Sequence, residues 1–131
     1  MRALIVGAGA VGQVYGRHLA MGGADVSFLV KPKHEAACRH GFTVYPLSET
    51  GTPARRFEGF GILTDPGRAQ DSAWDQVWLA VPSTALREGD WLAPLGRATG
   101  HATIVFLPPN LDDRSLLTDL VADERIVDGI I

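Results

Sequence analysis

Gly7, Ala8, Gly9, Ala10, Val11 and Gly12 spell G-x-G-x-x-G close to the N-terminus. Residues of this kind at this spacing suit one task, holding a phosphate against bare backbone. Small residues expose amide N–H groups, and no side chain stands between them and an anion. No Lys-Ser or Lys-Thr pair follows the last glycine, so the stretch is not a nucleoside-triphosphate P-loop. A second set of chemically useful residues, Lys31 and Lys33, lies about 20 residues further on.

The flanking elements give the glycines their meaning. Ala3 to Val6 is a continuous apolar run, as in a strand buried on both faces. From Ala10 to Met21 the apolar residues Val11, Val14, Tyr15 and Leu19 follow helical spacing, and Gly22-Gly23 stops the pattern. Val26 to Val30 is a second apolar run, ended by Lys31-Pro32. Strand, helix and strand form a βαβ unit with the glycines at its first turn. Gly7 then permits the tight turn, Gly9 lets amides approach a pyrophosphate, and Gly12 lets helix and strand pack closely. The plainer alternative is a glycine-rich helix start that serves packing alone. A carboxylate at the end of the second strand binds the ribose hydroxyls of NAD, and a cation there accommodates the 2′-phosphate of NADP. Lys31 occupies that place, Asp25 lies at the start of the strand, and Glu35 falls inside the next helix. The expected cofactor is therefore NADP(H), against the plainer reading of two solvated lysines.

The rest of the chain continues the alternation. A short helix is expected over His34 to His40, closed by Gly41. FTVYPL and FEGFGIL flank the polar stretch SETGTPARR and form either two further strands or an excursion at the sheet edge. Asp75 to Val81 is expected as a buried strand, Thr84 to Leu95 as a helix, Ala102 to Leu107 as a strand and Leu111 to Val121 as a helix. A last strand falls within Glu124 to Ile131. The expected fold class is α/β, a Rossmann-type, doubly wound, mostly parallel sheet in three α/β/α layers. Residues 1–131 make one dinucleotide-binding domain.

Composition is that of a globular domain, 46% hydrophobic and 21% charged, with a formal net charge of -3 that exerts no pull toward nucleic acid or anionic membrane. Cys38 is the only cysteine, so no internal disulfide or thiolate metal cluster is available. No apolar run reaches the roughly 18 residues of a membrane span, and glycines interrupt the N-terminal run where a signal peptide would be uniform. The expected location is cytoplasmic.

RALIVGAGAVGQVYGRHLAMGGADVSFLVK, with a helix and Gly41-Phe42 after it, resembles the N-terminal NADP-binding domain of the ketopantoate reductase family. DQVWLAV, a helix, ATIVFL and a further helix follow in the same family order. The resemblance implies hydride transfer from NADPH to a 2-keto acid such as 2-dehydropantoate, in pantothenate biosynthesis. It also implies a second, helical domain whose lysine hydrogen-bonds the ketone. The only lysines here are Lys31 and Lys33, so no catalytic residue is assigned and the 131 residues are expected to bind cofactor without turning over substrate. Where the family carries Val-Lys after the fourth strand, this sequence has Val81-Pro82. Where it carries an asparagine facing the nicotinamide, strict alignment gives Pro109, with Asn110 one residue later. Asn110 serves either that role or as the N-cap of the helix that follows. The expected cofactor-binding residues are Gly7, Gly9, Ala10, Val11, Gly12, Lys31, Lys33, Ala80, Val81, Pro82 and Asn110.

His18, His34, His40 and His101 have no patterned catalytic partner. Asp112, Asp113, Asp119 and Asp123 lack metal-ligand spacing and suit helix surface charges, so no metal site is expected. Trp74, Trp78 and Trp91 suit core or interface positions. Exposed apolar surface around Ile130-Ile131 and the Trp91 helix would mark contact with a second domain or a homodimer partner. Two other classes of function remain, a stand-alone nucleotide-sensing regulatory domain and a degenerate Rossmann domain kept for protein contacts.

Overall fold

A computed structural model describes residues 1–45 and 51–129. The βαβ unit forms as its pattern requires: β1 (Arg2–Val6), α1 (Ala10–Met21) and β2 (Asp25–Leu29). β1 and β2 are parallel, with Ile5 opposite Phe28. A 3-10 turn (Pro32–His34) leads into α2 (Glu35–Arg39), and Gly41, at φ +74, turns the chain out of it. Only glycine adopts that conformation without strain.

FTVYPL and FEGFGIL take up both expected roles. β3 (Phe42–Val44) and β4 (Arg55–Phe57) pair antiparallel in a separate two-stranded ribbon, and β5 (Gly61–Leu63) joins the main sheet beside β2. Pro46, Leu47 and the Ser48–Thr50 start of the polar stretch lie outside the described residues. A 3-10 segment (Pro66–Asp71), capped by Asp65 through its bond from the Gly67 amide, crosses to β6 (Gln76–Leu79).

Thr84 to Leu95 is not one helix. It divides into α3 (Ser83–Arg87) and α4 (Leu92–Ala98), because Gly89 at φ +75 takes the chain out of helical geometry between them. β7 (Thr103–Phe106) follows. Leu111 to Val121 also departs from a continuous helix: a 3-10 turn (Leu111–Arg114) passes into the short α5 (Ser115–Thr118). The Ser115 and Thr118 hydroxyls donate back to the carbonyls of Asp112 and Ser115, at 2.8 and 3.1 Å, competing for the helix's own acceptors. Another 3-10 turn (Asp123–Arg125) precedes β8 (Ile126–Asp128). Ile130 and Ile131 lie outside the described residues, and the neighbouring Val127 is 51% exposed.

The six-stranded sheet runs β5-β2-β1-β6-β7-β8 and is parallel throughout. Strand alternation separates two cores. Leu4, Val6, Val77, Leu79, Ile104 and Phe106 face α3, α4 and α5. Ile5, Val26 and Phe28 face α1, α2 and the ribbon. On that second side Phe28, Phe42, Phe57 and Phe60 pack together, with Phe42 and Phe60 stacked at 4.7 Å and Phe28 edge-on to Phe42 at 5.2 Å. Each such pair adds about 0.5–1.5 kcal/mol to simple burial and ties the ribbon to the sheet. This is a Rossmann-type, three-layer α/β/α fold with the strand order of dinucleotide-binding domains.

Candidate functional site

In an open parallel sheet the binding crevice lies at the carboxyl ends of the strands, where strand order reverses. Here that point falls between β1, which leads to the glycine turn, and β6, which leads to Ala80. Gly7 donates its N–H to Leu29 O at 3.0 Å, and Ala80 donates to Val6 O at 2.9 Å, so three strand ends meet at the turn.

Each glycine of the motif has a distinct surrounding. Gly7 is at φ +96, and a Cβ there would lie 2.8 Å from Ala80 O and 2.8 Å from Val81 Cγ1. Gly12 faces inward, where a Cβ would overlap the Gly7 carbonyl oxygen and lie 3.2 Å from Ile5 Cγ2. Gly9 differs: nothing lies within 4 Å of its Cβ position. It is the N-cap of α1, with no side-chain cap and no acid in the first turn. The helix therefore presents N–H groups and a partial positive charge with no internal anion to absorb them. Gln13 fixes the turn from behind, its side-chain N–H donating to Ala8 O at 2.8 Å. Gly16, one turn beyond Gly12 on the same face, meets the Phe28 ring so closely that a Cβ would sit 2.6 Å from Cζ. That contact was readable as the i, i+4 repeat of Gly12, although the motif does not include it.

The turn opens into a cleft of about 990 Å³, within the range of small-molecule sites. Gly7, Gly9, Lys31, Ala80, Val81 and Pro82 all line it. Ala10 and Val11 begin α1 beside it, and Gly12 lies beneath in the packing layer. Lys33 sits in the exposed 3-10 turn after Lys31 and does not line the cleft. Asn110 also stays out of the lining. Its Oδ1 accepts from the Asp112 amide at 3.2 Å and its Nδ2 donates to Asp113 Oδ1 at 3.4 Å, so its amide caps its own loop. Pro82 is the N-cap of α3.

Several lining residues had no sequence signal. His34, Ala37, Cys38, Phe42, Thr64 and Pro66 also line the cleft. Burial pushes the Cys38 thiol above its ordinary pKa. Glu88, Gly89, Asp90 and Trp91, from the break between α3 and α4, line the cleft as well. Trp91 is half-buried, and its indole N–H donates to Ala85 O at 2.9 Å. It is thus part of the cleft wall. Trp74 is core, and Trp78 is half-buried against Tyr15 at 5.1 Å. The Lys31 ammonium lies 3.6 Å from a Glu88 carboxylate oxygen, both side chains being more than half exposed at 57% and 66%.

Asp113 requires a correction. It is no surface helix charge but is fully buried, paired with Arg87 from α3, and its Oδ2 has no hydrogen-bond partner among the described residues. Among those residues no group of three or more His, Cys, Asp or Glu is placed to hold a metal ion, and no helix is long and apolar enough to cross a membrane.

A family model described as ketopantoate reductase PanE/ApbA matches residues 3–131. Among solved structures, 2-dehydropantoate 2-reductase from Geobacter metallireducens superposes with a TM-score of 0.78 at 26% identity, covering 98% of this chain and 40% of that one. A PanE/ApbA family ketopantoate reductase from Ralstonia eutropha gives 0.73 at 24% identity, with 99% and 40% covered. D-mandelate dehydrogenase, solved with NADH and anilino(oxo)acetate, gives 0.79 at 18% identity, a likeness of fold, with 99% and 40% covered. This chain thus spans about 40% of the length of these solved relatives. A search of curated protein sequences found no match.

Proposed function

Because this chain belongs to the ketopantoate reductase family, we propose that it is the NADPH-holding part of an oxidoreductase that reduces a 2-keto acid such as 2-dehydropantoate. The observation that carries the reading is the pairing of an uncapped α1 N-terminus at Gly9 with Lys31 on a single cleft. The open space at Gly9 and the absence of acid in the first turn fit a pyrophosphate. Gly7, Gly9 and the amides of Ala10 and Val11 would hold that pyrophosphate, while Lys31, with Lys33 behind it, would take the 2′-phosphate. Ala80, Val81 and Pro82 would flank the remainder of the cofactor along β6. Asn110 would contact the nicotinamide end of the cofactor by exchanging the bonds it makes within its own loop.

When bound, NADPH supplies a hydride. The residues of this chain would bind and orient it. The sequence offers no lysine beyond Lys31 and Lys33, so the 131 residues bind cofactor without turnover, and the reaction belongs to a longer or associated protein in the cytoplasm. Calorimetric titration of the 131-residue chain with NADPH and NADH tests this. Tighter binding of NADPH is the expected result; tighter NADH binding overturns the 2′-phosphate role of Lys31. Absence of binding by either overturns the reading as a whole.

A further inference from the structure

The turn at Gly89 carries an acid to Lys31, a cation that lines the cleft just beyond the end of β2. Glu88 and Asp90 flank Gly89, both are exposed, and both line the same cleft as Lys31. Gly89 is at φ +75 with nothing within 4 Å of its Cβ position, so backbone conformation, not packing, demands glycine there. The turn lets the loop approach Lys31, with Glu88 Oε2 at 3.6 Å from the ammonium.

This arrangement changes what Lys31 does. A 2′-phosphate carries about two negative charges and needs a free cation. Here the ammonium already has a carboxylate partner, and a phosphate that displaces it gains Lys31 but comes to rest near Glu88. A ribose with a free 2′-hydroxyl meets no such repulsion, and a carboxylate accepts hydrogen bonds from hydroxyls. Resting on the proposed 2′-phosphate role of Lys31, we infer that Glu88 is a cofactor-discriminating residue that opposes Lys31 from the α3–α4 loop and reduces the preference for NADPH over NADH. The two charges thus come from segments far apart in sequence, and their balance, more than Lys31 alone, sets selectivity.

The scale is modest. Exposed ion pairs are worth about 0.2–1 kcal/mol, equivalent to about 1.5- to 5-fold in affinity. The test titrates 2′,5′-ADP and 5′-AMP, two probes that differ only in the 2′-phosphate, into the wild-type chain, Glu88→Gln and Lys31→Ala. Glu88→Gln is isosteric and exposed, so folding is unaffected. The expected result is a tightening of 2′,5′-ADP by about 2- to 5-fold, with 5′-AMP unchanged or weaker, and a smaller gain at high salt where charges are screened. If Glu88→Gln leaves the ratio of the two affinities unchanged while Lys31→Ala still weakens 2′,5′-ADP, the role of Glu88 is overturned and that of Lys31 stands. If neither substitution alters the ratio, or neither probe binds, both are overturned.

Discussion

Gly12 packs against Gly7 so closely that a methyl group on Gly12 would overlap the Gly7 carbonyl oxygen. The turn and the helix it opens are therefore a single packed unit, in which the first and last glycines of the motif support each other while Gly9 is left open.

This division separates stability from binding. Gly12→Ala forces backbone apart and is expected to cost about 1–3 kcal/mol, read as a lower urea midpoint. Gly9→Ala meets no atom and sits at φ -72, so it should alter stability by no more than about 0.5 kcal/mol. It places a methyl where an anion must approach, and it is expected to weaken NADPH about tenfold in calorimetry, the equivalent of one charge-assisted hydrogen bond. Equal losses of stability in the two variants would contradict this assignment.

Lys31→Ala is expected to weaken NADPH by about tenfold, the lower end of a charged hydrogen bond, and to leave NADH within about twofold. Because the ammonium is more than half exposed, the difference should shrink as salt rises. Titrations at two ionic strengths check both effects together.

Asp113 and Arg87 join the β7–α5 connection to α3. Asp113→Asn keeps the shape and removes the charge facing Arg87. Since Arg87 is 50% exposed, the cost should fall below that of a fully buried pair, at about 1–2 kcal/mol. Urea denaturation measures it. A value near zero would mean that the Arg87 bond contributes nothing to holding α3.

Cys38 is buried on the cleft wall, and burial raises its pKa. The charged thiolate is the reactive form, so alkylation by iodoacetamide should be slow at neutral pH. Its rate should still be climbing at pH values where an exposed thiol has levelled off. Bound NADPH is expected to slow it further by covering the wall. Alkylation as fast as that of a free cysteine would show that Cys38 is accessible.

The βαβ unit was legible because its causes are local. A strand, three glycines and an apolar helix face lie within consecutive residues, and Lys31 follows where the second strand must end. The ribbon was not, since the partner of Phe42 is Phe57, chosen by a four-phenylalanine cluster that no local period records. Apolar spacing ran Thr84 to Leu95 together as one helix, and the positive φ of Gly89 reveals the break. Asp113 looked like an ordinary first-turn acid; its burial depends on Arg87, on a different helix. Glu88 escaped notice for the same reason. The charge at one end of the cleft is set by residues far apart in sequence, which spacing arguments cannot join.

The position of β1 in the sheet has a consequence for biogenesis. Of the eight strands described it is made first, yet it lies in the middle of the sheet, bonded to β2 on one side and to β6 on the other. Its first edge closes as soon as residues 25–29 emerge, while its second waits until residues 76–79 are made. During that interval the apolar Ala3–Val6 run presents an unpaired edge, the kind of surface that recruits stray strands. The nascent glycine turn therefore exists well before the crevice it belongs to, and a chaperone that shields this edge would act within a window bounded by the synthesis of Leu29 and Leu79.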